Sequence, residues 1–164
     1  MQVLFERILL LKRVPFFELL RTDQLRHVAL ILEPVGWVAG EQVFHLGEPG
    51  GQMYIIVQGR VGIAIHEDPG CRDFVAEMKS GDCFGEMGVL DGLPRSATAH
   101  VLEDTEALSL SKERLHGLLM SYPELGVGML LALSRRLRQA NIALAGHQNG
   151  AGAMEKPTSP PRVP

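Results

Sequence analysis

The hydrophobic pattern of this chain changes its period twice, and this constrains the fold more than any other feature. Between residues 35 and 110, apolar and polar residues alternate in short segments separated by turn-forming residues. Turns recurring about every 8–12 positions are typical of antiparallel sandwiches and barrels. The pattern predicts strands at residues 35–38, 42–45, 52–57, 60–66, 74–79, 97–102 and 106–109, with turns at 58–59 and 103–104 between neighbouring strands.

Helical spacing flanks this region on both sides. Leu4, Ile8 and Leu11 recur as on one face of a helix. Thr22 and Ser111 are candidate N-caps for a second helix and for the C-terminal helices. The glycine- and proline-rich end of the chain cannot bury enough surface to fold. The predicted segments are N-terminal helices at 1–34, a β region at 35–110, C-terminal helices at 111–146 and a disordered tail at 147–164.

Composition narrows the classes of function. The net charge of -3 provides no basic field to attract nucleic acid or an anionic membrane. No segment approaches the about 20 apolar residues that span a bilayer. The apolar N-terminus carries Glu6 and Arg7 and lacks the cleavage site of a signal peptide. We therefore expect a cytoplasmic protein with reduced Cys71 and Cys83, and no direct contact with DNA or membrane.

The segment from Phe84 to Ala99, FGEMGVLDGLPRSATA, carries the most specific chemistry. Gly85 can adopt a turn that leaves the first N–H groups of a short helix free to bind an anion. Arg95 lies about one helix length downstream and can return to hold a phosphate with two parallel hydrogen bonds. Glu86 would repel a bare phosphate, so it fits a ligand that also offers a hydroxyl. Phosphate and sugar hydroxyl together predict a nucleotide.

This segment resembles the phosphate-binding cassette of the cyclic nucleotide-binding domain family. The resemblance extends from about residue 11 to residue 141 and includes VPFF at 14–17, GEQVF at 40–44, MYIIVQG at 53–59 and GDCFGE at 81–86. Related sensors occur in bacterial regulators of the catabolite-activator type and in regulatory subunits of protein kinase A. The resemblance implies a mainly β, antiparallel jelly-roll with N-terminal helices and C-terminal lid helices. Unlike the bacterial regulators, the chain shows no helix-turn-helix pattern.

The resemblance also implies a role for each cassette residue. Arg95 would pair with the cyclic phosphate, and Glu86 would accept a hydrogen bond from the ribose 2′-OH. Further phosphate contacts would come from the main chain of Gly85, Met87 and Ala97 and from the Ser96 hydroxyl. The base would be contacted by Asn141, or by Arg138, on the last helix. Asn141 favours cAMP, whereas the Ser96 hydroxyl is compatible with cAMP or cGMP, so cAMP is the favoured ligand.

Simpler interpretations stand beside these roles. Arg95 can be a surface residue after a proline turn, Glu86 can complement a helix dipole, and Asn141 can be a solvated helix residue. A metal-dependent jelly-roll enzyme would need a His-x-His pair with further ligands, whereas His45, His66 and His100 stand singly. No catalytic constellation is recognisable. We therefore predict neither an enzyme nor a metal site.

We expect ligand binding to act through a rearrangement of the C-terminal helices that regulates an effector of unknown identity. The apolar stripe of the last helix is compatible with a homodimer. Two alternatives remain: a regulator of the catabolite-activator type whose DNA-binding part is not in this chain, and a degenerate interaction module that binds no nucleotide.

Overall fold

The computed structural model describes residues 2–65 and 73–151, which divide into two compact units, one that ends at Met129 and one that begins at Leu130. The described residues form five α-helices, one short 3-10 helix (Pro15–Phe17) and six strands. The helices are α1 (Gln2–Leu11), α2 (Thr22–Ile31), α3 (Glu86–Asp91), α4 (Lys112–Ser121) and α5 (Pro123–Ala151). The strands are β1 (Glu33–Trp37), β2 (Gln42–Phe44), β3 (Gln52–Ala64), β4 (Ala76–Lys79), β5 (Cys83–Phe84) and β6 (Thr98–Ser111).

Two long strands, β3 and β6, form the centre of an antiparallel six-stranded sheet. They pair from Gln52 opposite Ser111 to Ala64 opposite Thr98. The strand order is β1-β6-β3-β4, with β2 also paired to β6 and β5 to β3. Every strand pair is antiparallel, so the mainly β, antiparallel fold with flanking helices expected from the sequence is confirmed.

The predicted turns at 58–59 and 103–104 are wrong, because β3 and β6 run through both positions. The pairing register shifts between Ile56 and Val61, which marks bulges rather than a chain reversal. Gly59 has φ +96°, and a Cβ there would lie 2.4 Å from the main-chain oxygen of Asp104. A glycine that resembles a turn signal in the sequence therefore permits a bulge where two long strands touch closely.

The interior of the roll is apolar and aromatic. Its buried cluster consists of Phe44, Tyr54, Ile56, Val61, Phe84, Ala99 and Ala107. A second set of buried side chains lies on or beside the helices and includes Leu11, Phe16, Phe17, Val28 and Leu115. Because burying one such side chain contributes about 1.5–3 kcal/mol, these two sets hold the helices and the sheet together.

Polar side chains satisfy main-chain groups at the helix ends of the first unit. Arg7 Nη1 on α1 donates to the carbonyl oxygens of Ala29 and Leu32, each at 3.1 Å, and so satisfies acceptors at the C-terminal end of α2. Ser111 caps α4 as predicted, with its hydroxyl oxygen accepting from Arg114 N at 3.3 Å. Thr22 is not the cap predicted, because α2 already begins there and Arg21 occupies the N-cap position.

The long helix α5 continues to Ala151, into the segment that the sequence assigns to the tail. Residues 152–164, together with His66 and Cys71, lie outside the described part of the chain. Among the helices described, none is by itself long and apolar enough to cross a membrane, and only the bent pair α4 and α5 together meets that length and composition.

We expect Gly59→Ala to lower the free energy of unfolding by about 2–5 kcal/mol. The left-handed backbone costs a non-glycine residue about 1–2 kcal/mol, and the clash with β6 adds about 1–3 kcal/mol. The matched control is Gly40→Ala, since Gly40 has φ +93° but no atom within 4 Å of an added Cβ. Denaturant unfolding of both variants checks this, and equal losses would contradict the packing role of Gly59.

Candidate functional site

Two left-handed glycines bracket the short helix α3. Gly85, at its N-cap, has φ +78°, and Gly92, just past its end, has φ +73° and donates its N–H to Gly88 O at 3.1 Å. A Cβ on Gly85 would lie 2.8 Å from Arg95 Nη1. The site therefore requires glycine at position 85 for two reasons: the left-handed backbone conformation and the close approach of Arg95.

Arg95 lies against this turn with its guanidinium buried. Nη1 donates to Gly85 O at 2.8 Å, and Nη2 donates to Gln52 O at 2.8 Å. The guanidinium carbon lies 4.0 Å from the centre of the Phe44 ring. Arg95 is only 6% exposed, so it is not an ordinary surface residue.

The third nitrogen of the guanidinium, Nε, has no acceptor among the described residues. Arg95 Nε is buried, and no hydrogen-bond partner for it exists in the described part of the chain. Burial lowers the pKa of Arg95, whereas electrostatic interactions with Tyr54, Glu48 and Glu86 oppose that shift. Since an arginine remains charged, an anion that accepted a hydrogen bond from Nε would relieve both the desolvation and the missing bond.

The loop between β2 and β3 forms a wall beside Arg95. Gly47 N donates to Arg95 O, and Arg95 N donates to Glu48 O, both at 2.8 Å. A Cβ on Gly50 would lie 3.3 Å from Arg95 Nε and from Gly88 Cα. The loop is thus tied to the main chain of Arg95, and the absence of a Cβ at Gly50 lets the loop pack closely beside the unpartnered nitrogen.

Glu86, the first residue of α3, is 5% exposed and lies close enough to Arg95 to act on its charge. A buried carboxylate next to a buried guanidinium reduces the net charge of the site. Tyr54 is also buried near the pair, and desolvation raises the pKa of its hydroxyl. The site thus combines a cation for a phosphate with a carboxylate that can accept from a hydroxyl.

The remaining predicted residues fall into two groups. Met87 and Ser96 are exposed beside each other, with the Ser96 hydroxyl 3.5 Å from Met87 Sδ, and Ala97 lies just before β6. Asn141 is an exposed residue of α5 in the second unit, and its role stays a prediction.

Sequence reasoning missed Phe44, Glu48, Gly50 and Gln52. They belong to β2, the following loop and the start of β3, about 40 residues or more before Arg95 along the chain. The glycine cluster at 47–51 was the available signal, since several glycines permit a close approach of main chain to a neighbouring group. In the described part of the chain, no group of three or more His, Cys, Asp or Glu side chains could hold a metal ion.

The chain is similar in sequence to a known protein family and to a known transcriptional regulator. A family model described as the cyclic nucleotide-binding domain matches residues 35–122, which include the last three residues of β1, all of β2 to β6 and the whole cassette. The chain is 32% identical over 136 residues to a CRP-like cAMP-activated global transcriptional regulator of Mycobacterium tuberculosis. That match covers 83% of this chain and 61% of the relative, so the chain spans less than two thirds of that protein.

Two solved structures are similar in fold and sequence. The catabolite activator protein of Thermus thermophilus has a TM-score of 0.72 and 30% identity, over 82% of this chain and 63% of that chain. The N-terminal domain of a transcriptional regulator from Streptomyces coelicolor has a TM-score of 0.66 and 30% identity, over 82% and 93%. The family resemblance drawn from the cassette is therefore confirmed.

Proposed function

This chain belongs to the cyclic nucleotide-binding domain family, and from that premise we propose that it is a regulatory sensor that binds cAMP in preference to cGMP. One observation carries the proposal: a buried, charged guanidinium beside Gly85 whose Nε lacks an acceptor in the described residues. A cyclic phosphodiester supplies the anion that such a donor needs. The Mycobacterium tuberculosis relative is described as cAMP-activated, which favours the same ligand.

Each candidate residue has one task in this proposal. The phosphate is bound by Arg95 and by main-chain or hydroxyl donors of Gly85, Met87, Ser96 and Ala97. Glu86 accepts a hydrogen bond from the ribose 2′-OH. Asn141 distinguishes the base, because a side-chain amide can match both the donor and the acceptor of an adenine edge.

Binding would be transmitted through α3. This helix contacts both β3 and α4, and its residue Gly88 lies so close to the β2–β3 loop that an added Cβ would be 3.2 Å from Gly50 Cα. A ligand that draws the cassette inward would therefore also displace α4. The ligand can shift such an equilibrium only by its difference in affinity for the two arrangements.

Arg95→Ala should weaken cAMP binding by at least about 100-fold, because two charge-assisted hydrogen bonds contribute about 1.5–3 kcal/mol each. Arg95→Lys should also bind weakly, since it keeps the charge but loses the planar fork. The control is Arg60→Ala, which removes a half-exposed arginine with two surface ion pairs. Titration calorimetry measures all four proteins, with thermal unfolding to verify folding.

Several results of this titration would contradict the proposal. Equal heats from the wild type and Arg95→Ala would defeat the site assignment. Stronger binding of cGMP than of cAMP would reverse the ligand preference. No heat with either nucleotide would identify a degenerate interaction module, and a gel shift of DNA by the isolated chain would favour a transcription regulator that acts directly.

Glu86→Gln should reduce the discrimination between cAMP and 2′-deoxy-cAMP. The wild type should bind the 2′-deoxy ligand about 10-fold or more weakly, since it loses one hydrogen bond to a charged acceptor. The control is Glu113→Gln, another acid in the first turn of a helix. Competition binding with both ligands measures the ratio of their affinities. If that ratio is unchanged in Glu86→Gln, Glu86 does not bind the ribose 2′-OH.

We further propose that two copies pair through α5. Leu130, Leu137 and Leu144 recur every seven residues and are 69%, 63% and 65% exposed. A heptad spacing of leucines is the pattern by which two helices bury a common seam. An exposed stripe of this kind in a regulatory domain favours a homodimer.

Replacing Leu130, Leu137 and Leu144 together by Ser should convert a dimer into a monomer, because the seam loses its apolar side chains. Sedimentation at several protein concentrations measures the mass. The control is Met120→Ser, which changes an even more exposed apolar residue on α4. A wild-type chain that sediments as a monomer at every concentration would refute the pairing.

A further inference from the structure

Phe44 is the last residue of β2, and the positive charge of Arg95 lies over its ring. The guanidinium carbon of Arg95 is 4.0 Å from the ring centre, well within the distance at which an aromatic face attracts a cation. Phe44 is itself buried, with its ring centre 6.3 Å from that of Tyr54 and 5.9 Å from that of Phe84. Packing against two aromatic neighbours therefore prevents the Phe44 ring from moving away.

Two of the five N–H groups of the Arg95 guanidinium are already used within the protein. Nη1 donates to Gly85 O, Nη2 donates to Gln52 O, and the guanidinium carbon lies over the Phe44 ring. On the remaining edge, called here the Nε edge, Nε has no partner in the described residues, and an added Cβ on Gly50 would lie 3.3 Å from this nitrogen. Two carbonyl bonds and an aromatic ring therefore restrict both the position and the tilt of the cation.

We propose that Phe44 is a positioning residue for phosphate recognition, which holds the Arg95 guanidinium so that its Nε edge meets the anion. This inference rests on the proposed function. A leucine at position 44 would keep the core apolar but would provide no aromatic face. The guanidinium could then tilt about the axis of its two carbonyl bonds, and the Nε–H would lose its direction.

The first measurement is the affinity for cAMP of Phe44→Leu. We expect binding about 10-fold weaker than in the wild type, within the range of a desolvated cation–π contact. The matched control is Ile56→Val, a conservative truncation in the same buried cluster, which should change affinity by less than about twofold. Equal losses of affinity in the two variants would show that Phe44 acts only as a core residue.

The second measurement follows Arg95 Nε–H by nuclear magnetic resonance, a signal that a general loss of stability does not shift. In the ligand-free wild type, the ring current of Phe44 should move this resonance upfield relative to Phe44→Leu. Addition of cAMP should move it downfield in the wild type and less in the variant. An Nε–H resonance that is the same in both proteins would overturn the inference.

The two proposals fail in different ways. If the wild type gives no heat with cAMP or cGMP, the proposed function fails, and the ligand role of Phe44 fails with it. If the wild type binds cAMP while Phe44→Leu matches Ile56→Val and its Nε–H resonance is unchanged, only the role of Phe44 is refuted.

Discussion

The burial of one positive charge, the Arg95 guanidinium, organises the candidate site. Removing a charge from water is costly unless polar groups surround it, and here the compensating groups come from separate parts of the chain. Gly85 and Gln52 supply carbonyl oxygens, and the β2–β3 loop pairs with the main chain of Arg95 through Gly47 and Glu48. The same interactions that make the buried cation tolerable also hold it in one orientation.

This compensation requires main-chain segments to approach one another more closely than side chains allow. Gly85 gives room to the guanidinium, and Gly50 and Gly88 bring the β2–β3 loop and α3 into contact. A close-packed interior transmits displacements instead of absorbing them. A motion of α3 would therefore displace the loop and Arg95 as well, and this packing supports our proposal that the cassette transmits binding.

The contacts of Arg95 also limit how binding energy could drive that motion. Two of the five guanidinium N–H groups already donate to carbonyl oxygens, so a phosphate can gain only the others, the Nε–H among them, unless those bonds exchange. Bonds that are equal in both arrangements of the helices shift no population. In the proposed mechanism, the effect on the helices therefore depends on donors that reach the phosphate only after α3 has moved, such as the main-chain groups of Gly85 and Met87.

Local signals in the sequence were sufficient for the antiparallel class, the left-handed turn at Gly85, the cap at Ser111 and the pairing of Gly85 with Arg95, since each depends on a few neighbouring residues or on a specific motif. These local signals did not predict contacts between segments that lie far apart in the sequence. Gly59 has the composition of a turn but allows a bulge against Asp104, and Phe44 resembles any core residue until Arg95 lies on its ring. Only the tertiary structure decides the bulge at Gly59 and the contact of Phe44 with Arg95, because both depend on which strands lie side by side in the sheet. The alternation of apolar residues does not encode which strands pair.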